Sequence, residues 1–390
     1  MALSYNPSYR GRSRAARLGV ILAICALVVI AVMIVIDPAR RAVTPIYIWA
    51  AASFFHRENF YDPQASGGFL YLPTFAALFF PMTVFGPTIC NLVWRTVILV
   101  TLSFALLRAV RRLNLAAGTF EILGVTLLFA IVGAAGAVRN GQSTPLLLAA
   151  TFLAFDAAYD RNFARAAIWA TLAVIAKPPG IVVWLLIGGT RPQSIPWLLG
   201  ALTIALLAPF ALADREYVYF LYSQFFAMLS AVAPELGRSA PWTDFMAIVR
   251  ASGLSLDPQV ANAIRIVAAI VTFIAAFALT RKKDYLTASV MPVTLACSYM
   301  LLFNPRAETN TYILMAIPYS LLAAYLLRET RQIYSGVAIA AACVALGTGA
   351  LGLQVMKIFD PWSKPLLLIF SIGVCCFSLL RKIDDNHLPD

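Results

Sequence analysis

Apolar residues run along this chain in blocks of about 18 or more, and the charges collect at the edges of the blocks. A helix rises about 1.5 Å per residue, so each such block reaches across a hydrocarbon core of roughly 30 Å. The pattern predicts spans at 18–36, 88–107, 118–136, 143–159, 196–213, 259–280, 285–303, 311–327, 333–352 and 365–380. The block 166–189 is interrupted by AKPPG at 176–180, where tandem prolines remove two backbone donors. It is read as a broken, hairpin-like pair. The fold class is therefore an all-α polytopic membrane protein, a single integral domain with a bundle of about 12 transmembrane helices.

Two long segments, 37–87 and 214–258, stand outside the spans as loops on one side, while 88–213 and 259–382 carry the remaining spans. The first loop holds PIYIWAAASFF (45–55) and FLYLPTFAALFFPMTVF (69–85). Both stretches are rich in aromatics and cut short by proline or glycine, which suits interfacial helices lying in the membrane surface.

Composition agrees with this. The chain of 390 residues is 61% hydrophobic and 12% charged, against about 25% charged in a soluble domain. The N-terminus begins like a secretory signal, but its apolar run is too long and no small-residue cleavage site precedes Asp37. It reads as a retained first span. The net charge of +12 does not point to nucleic acid, because the basic residues sit in short groups beside apolar blocks. Arg10, Arg12, Arg14 and Arg17, then Arg108, Arg111 and Arg112, Arg161 and Arg165, Arg191, RKKD at 281–284, RETR at 328–331 and RK at 381–382 all fall on one side. The positive-inside rule makes that side cytoplasmic, with both termini there. Cys25, Cys90, Cys297, Cys343, Cys375 and Cys376 lie inside apolar segments, where packing is their role.

The opposite, outer face collects polar residues of a different kind: Asp37, Arg40 and Arg41, HRENFYDP at 56–63, RNGQ at 139–142, Lys177, and NPRAETN at 304–310. Lys177 is the sharpest. A charge at membrane depth is costly unless paired or hydrated, so it faces a cavity or snorkels to the interface. Arg139, Lys177 and Arg306 together make a candidate phosphate cluster, since guanidinium and ammonium groups match phosphate oxygens. Asp37 reads either as a cap at a span end or as a general base. Glu308 reads as a turn residue or as a group that orients Arg306 or the acceptor. Arg95 and Arg265, about two turns inside their spans, are expected to snorkel. His56 and His387 form no metal constellation, and no phosphate loop or nucleophile elbow is present. The small residues of GVTLLFAIVGAAGA (124–137) suit ordinary helix packing.

Several segments then resemble glycosyltransferase family 87 over roughly residues 37–330. They are the aromatic-x-Pro stretch FLYLPTFAALFFPMTVF, the Trp-Arg pair at 94–95, the Gly-Gln pair at 141–142, the Lys-Pro at 177–178 and NPRAETNTY at 304–312. The resemblance implies a GT-C-like bundle in a bacterial inner membrane, with its active face periplasmic. It also implies inverting transfer of a sugar, often mannose, from a polyprenyl-phosphate co-substrate to a lipid-linked or glycan acceptor. No cofactor is expected, and the partners are membrane lipids, the lipid-linked donor and the acceptor.

In many members an acid stands four positions before a tyrosine of the first outer loop; before Tyr47 that position is Val43. The catalytic candidates are then Asp37 and Glu308, with Lys177, Arg306 and Arg139 as donor-phosphate ligands. Gln142, Tyr71, Asn310, Tyr47, Glu58 and Asp62 are candidates to line the substrate. Two rivals stay open at this point: a transporter or flippase of a lipid-linked sugar, and a non-catalytic subunit of a polysaccharide assembly system.

Overall fold

The computed structural model describes residues 8–61, 68–232, 242–330, 332–347 and 361–385, and no strand occurs among them. Asp62 lies outside the described residues. In chain order the α-helices are α1 (Ser8–Ile36), α2 (Thr44–His56), α3 (Pro73–Phe79), α4 (Pro87–Leu113), α5 (Thr119–Arg139), α6 (Thr144–Tyr159), α7 (Phe163–Ala176) and α8 (Ile181–Thr190). They continue with α9 (Ile195–Leu207), α10 (Arg215–Val232), α11 (Phe245–Ala251), α12 (Pro258–Thr280), α13 (Met291–Leu302), α14 (Ile313–Arg328), α15 (Ile333–Leu346) and α16 (Ser363–Asp385).

Local chemistry sets the boundaries. Pro87 and Pro258 open α4 and α12, where a missing N–H costs nothing. Asn162 caps α7 by accepting from the Arg165 N–H at 3.1 Å. Asn114, at φ 47°, ends α4 in the left-handed conformation that asparagine tolerates.

The chain is a polytopic membrane protein. Arg14–Ile36, Pro87–Leu113, Thr119–Arg139, Pro192–Ala211, Pro258–Thr280 and Thr309–Arg328 are long and apolar enough to cross a bilayer. The expectation of about 12 spans also counts shorter apolar helices, including α6, α7, α13 and α15, which run 10–17 residues. Three of these are short for a physical reason. α6 begins, and α7 and α13 end, at one shared depth in the bundle, where irregular backbone takes over. Such backbone is tolerated inside a membrane where it borders a cavity. The helices α2 and α3, of 13 and 7 residues, are too short to cross.

Burial is unequal. Every residue of α6 from Thr144 to Ala158 is buried, as is α14 from Ile313 to Leu326. The best-exposed spans are α1 and α12. Close approach of the central helices depends on small residues: a Cβ on Gly124 of α5 would lie 2.4 Å from the Ala16 carbonyl oxygen of α1, and one on Gly133 would lie 2.6 Å from the Ala316 Cβ of α14.

The end of the bundle away from the short-helix breaks is closed by ion pairs. Asp156, 3% exposed, meets Arg108 at 2.5 Å and Arg112 at 3.0 Å and accepts from the Tyr285 hydroxyl at 2.9 Å. Asp160 pairs with the same two arginines, and Arg328 meets Glu121 at 3.1 Å. Arg191 donates to the Thr280 carbonyl at 2.5 Å. Arg108, Arg112, Arg191 and Arg328 all stand at this end.

Replacing Gly124 by Val is expected to force α1 and α5 apart and cost about 1–3 kcal/mol through overpacking. Thermal unfolding in detergent should show a lower midpoint for this variant. Gly200→Val, which meets nothing within 4 Å, should melt like the parent; equal midpoints for all three proteins would contradict the tight crossing.

Candidate functional site

The turn from α5 into α6 is held by one buried side chain. Arg95 of α4 is 4% exposed and donates from Nε to the Val138 carbonyl at 3.1 Å and from Nη2 to the Arg139 carbonyl at 2.6 Å. The Val138 carbonyl also accepts from the Gly141 N–H at 3.0 Å, whereas the Arg139 carbonyl, at the C-terminus of α5, takes its donor from Arg95. Nη1 reaches Asn91 Oδ1 at 2.6 Å and Thr44 Oγ1 at 3.5 Å. Trp94 Nε1 donates to the Gly141 carbonyl at 2.8 Å. Snorkelling was the expectation for Arg95, but the carbonyls and the Asn91 amide oxygen beside it outcompete the distant headgroups. Gly141 sits at φ 65°, and a Cβ there would lie 2.8 Å from Thr44 Oγ1 and 3.0 Å from the guanidinium carbon. Only glycine fits.

From this clamp the chain delivers Gln142 into a cleft with a cavity volume of about 380 Å³, with Ser143 and Thr144 buried behind it. Its walls come from distant segments: Val43, Ile46 and Tyr47 of the α2 region, Leu70 and Tyr71, Gln142, Lys177 with Pro178 and Pro179, Leu229, Trp242, and Asn304 to Arg306 with Glu308. Lys177 stands at the apex between α7 and α8. There the chain folds back so closely that a Cβ on Gly180 would lie 2.2 Å from the Ala173 carbonyl. Its ammonium donates to Thr144 Oγ1 at 3.3 Å.

On the facing wall, the NPRAETN turn is pinned to the segment before α11. Thr243 donates from both N and Oγ1 to the Ala307 carbonyl at 2.8 Å, and Tyr312 donates to the Thr243 carbonyl at 2.7 Å. Arg250 secures the same segment through the Trp242 carbonyl and Asp244. The Arg306 guanidinium lies 5.3 Å from the Trp242 ring centroid, a cation–π contact. Gln142 Nε2 donates to Glu308 Oε2 at 3.2 Å, while the buried Gln142 Oε1 has no hydrogen-bond partner.

Two tyrosines line the third side. Tyr47 and Tyr71 share a hydrogen bond of 2.7 Å between their hydroxyls and meet edge to face. Phe75, Phe79 and Trp94 pack behind them. Burial pushes both phenols above the ordinary tyrosine range, so they remain protonated donors at neutral pH. The Ser143 N–H donates to Tyr47 Oη at 3.3 Å, and the Ser143 hydroxyl donates to the Ala176 carbonyl at 2.7 Å. The Tyr71 hydroxyl also lies 3.3 Å from Ser143 Oγ.

Of the residues singled out in the sequence, Lys177, Arg306, Glu308, Gln142, Tyr47 and Tyr71 meet in this cleft. Four others do not. Asp37, exposed, accepts from the Arg40 N–H at 3.1 Å and lines a separate cavity of about 130 Å³ with Arg40, Arg95 and Arg139. Glu58 is exposed and closes the end of α2, accepting from Ser53 Oγ at 3.1 Å. Asn310 packs on α5, its Oδ1 2.7 Å from where a Gly136 Cβ would stand. Trp242, Ser143 and Thr144 were missed, because a lone tryptophan in a loop and hydroxyls at a helix start carry no periodic signal.

The model for Glycosyltransferase family 87 matches residues 69–305, more than half of the chain. No curated protein and no solved structure gives a significant match.

Arg95→Met is expected to leave the Arg139 carbonyl and Asn91 Oδ1 without the donor that Arg95 gives them and to cost about 1–3 kcal/mol. Its midpoint of thermal unfolding in detergent should fall well below that of the parent; an unchanged midpoint would mean that the clamp is not what holds the turn.

Proposed function

The chain belongs to glycosyltransferase family 87, and from that membership we propose that it moves a hexose such as mannose from a polyprenyl-phosphate donor to a lipid-linked or glycan acceptor, with inversion. The observation that carries this reading is the joining in one cleft of two cations, a carboxylate and neutral hydrogen-bond donors from segments far apart in sequence. Inverting transfer needs that set: a base for the acceptor hydroxyl and cations for the departing phosphate.

Glu308 takes the proton of the attacking hydroxyl, held in register by the Gln142 amide. The new bond from oxygen to the anomeric carbon forms as the bond from that carbon to the phosphate oxygen breaks. The electron pair leaves with the phosphate, where Lys177 and Arg306 offset the charge. The unpartnered Gln142 Oε1 accepts from a sugar hydroxyl, since a buried amide oxygen without a donor is costly. The Tyr71 hydroxyl supplies a donor from the other side.

Glu308 replaces Asp37 as the preferred base because it lies in the cleft with the cations, whereas Asp37 faces another cavity. Val43 lines the cleft where many relatives carry an acid, and a carboxylate from the opposite wall makes up for it. That supports an active enzyme over a non-catalytic subunit. Ion pairs close the far end of the bundle, which speaks against passage of a lipid-linked sugar. Arg108, Arg112, Arg191 and Arg328 at that end support a cytoplasmic assignment for it. The cleft then opens on the periplasmic face of a bacterial inner membrane.

Purified protein in liposomes with polyprenyl-phosphate mannose and a glycolipid acceptor is expected to form the glycosylated product. Glu308→Gln should lower the transfer rate by about 10²–10⁴-fold while donor still binds. Lys177→Met should weaken donor binding itself, and Asp37→Asn should stay near the parent. Full activity of Glu308→Gln, or labelled lipid crossing the bilayer without transfer, would defeat the proposal.

A further inference from the structure

The opposite flank of the Arg95 clamp holds a second feature that the transfer chemistry does not use. Helix α1 crosses α5 tightly near Ala16 and Gly124. Further along lies a groove with a cavity volume of about 130 Å³, lined by Ala26 and Ile30 of α1, Leu102 and Leu106 of α4, and Ala130 and Ala134 of α5. Its lining is apolar apart from Ser103. Leu27, 41% exposed, marks where it opens sideways toward the hydrocarbon of the bilayer.

The groove lies next to the separate cavity that holds Asp37 along α1 and α5. On α1 the groove lining ends at Ile30 and the cavity lining resumes at Met33; on α5, Val138 belongs to the groove and Arg139 to the cavity. At the top stand cations. Arg40 and Arg41 both act electrostatically on Arg139, and none of the three forms an ion pair among the described residues. Arg95 is committed to backbone carbonyls. A single carboxylate, Asp37, lines the pocket with Arg40 and Arg139, and Arg41 stands near Arg139 just beyond the lining, so the pocket is cationic.

We propose that this groove and its arginine crown form a site for an anionic phospholipid, one acyl chain lying between α1 and α4 and the phosphodiester headgroup against Arg40, Arg41 and Arg139. Charge complementarity selects the occupant. A zwitterionic headgroup would bring its ammonium to a cationic surface, whereas an anionic one gains from every arginine. The site is distinct from the cleft, although Arg139 and Gln142 are joined by a turn that spans at most about 11 Å. It does not rest on the transfer reading. Through Arg139 and the clamp, the lipid would brace the turn that carries Gln142.

The full chain is reconstituted in nanodiscs of equal phosphatidylglycerol and phosphatidylcholine, and retained lipid is read by native mass spectrometry after release. The parent should retain phosphatidylglycerol preferentially, with each arginine contributing roughly a five-fold preference. R40Q/R41Q should lose most of it, and R40K/R41K, which keeps the charge, should preserve it and so separate lost charge from lost fold. Ala26→Phe, which fills the groove, should reduce phosphatidylglycerol retention with helicity unchanged. Equal retention of both lipids by the parent, or an unaltered preference in R40Q/R41Q or Ala26→Phe, would overturn the site. Displacement of phosphatidylglycerol by polyprenyl phosphate in the parent would also overturn it, by giving the groove to the donor.

Discussion

Everything around the cleft depends on how Arg95 pairs with the end of α5. One guanidinium buried within the bundle satisfies two helix-terminal carbonyls, the Asn91 amide oxygen and the Thr44 hydroxyl. Those partners belong to three helices, and the next residues along the chain are the glycine and glutamine that open the cleft. Desolvating an arginine is expensive, so such a site persists only when the donors are nearly all used. The cost is offset because the same contacts remove several carbonyls from the list of unsatisfied groups.

The clamp also explains why two cavities coexist so near each other. The turn 139–142 is a partition. Arg139 looks to one side, toward Arg40 and Asp37, while Gln142 looks to the other, toward Glu308. Keeping Arg40 and Arg139 in one cavity and Lys177 and Arg306 in the other limits the repulsion that one merged cationic chamber would carry.

The cleft is built where short helices converge: α6 starts there, and α7 and α13 stop there. Their termini supply the irregular backbone from which Lys177, Thr144 and Arg306 project. The aromatic wall of Tyr47, Tyr71, Phe75 and Trp94 seals the side toward α2 and α3. Ion pairs at the far end close the bundle where no substrate need enter.

The sequence by itself determined the class of molecule, since apolar blocks edged by arginines have few physical solutions other than membrane helices. It also marked Lys177, Arg306, Glu308 and Gln142, because a polar group in an apolar setting is conspicuous without any coordinates. It did not tell which helices are central. Lipid tails are as apolar as a protein core, so hydropathy alone separates α1 from α14 poorly, and burial is decided by small residues such as Gly124 and Gly133. It misjudged Arg95, whose partners come from α2 and α5, and it set Asp37 and Arg139 beside Lys177 when a turn divides them. Which polar groups share a cavity depends on how helix ends meet in three dimensions, and contacts between segments as remote as Gln142 and Glu308 leave no mark on local spacing.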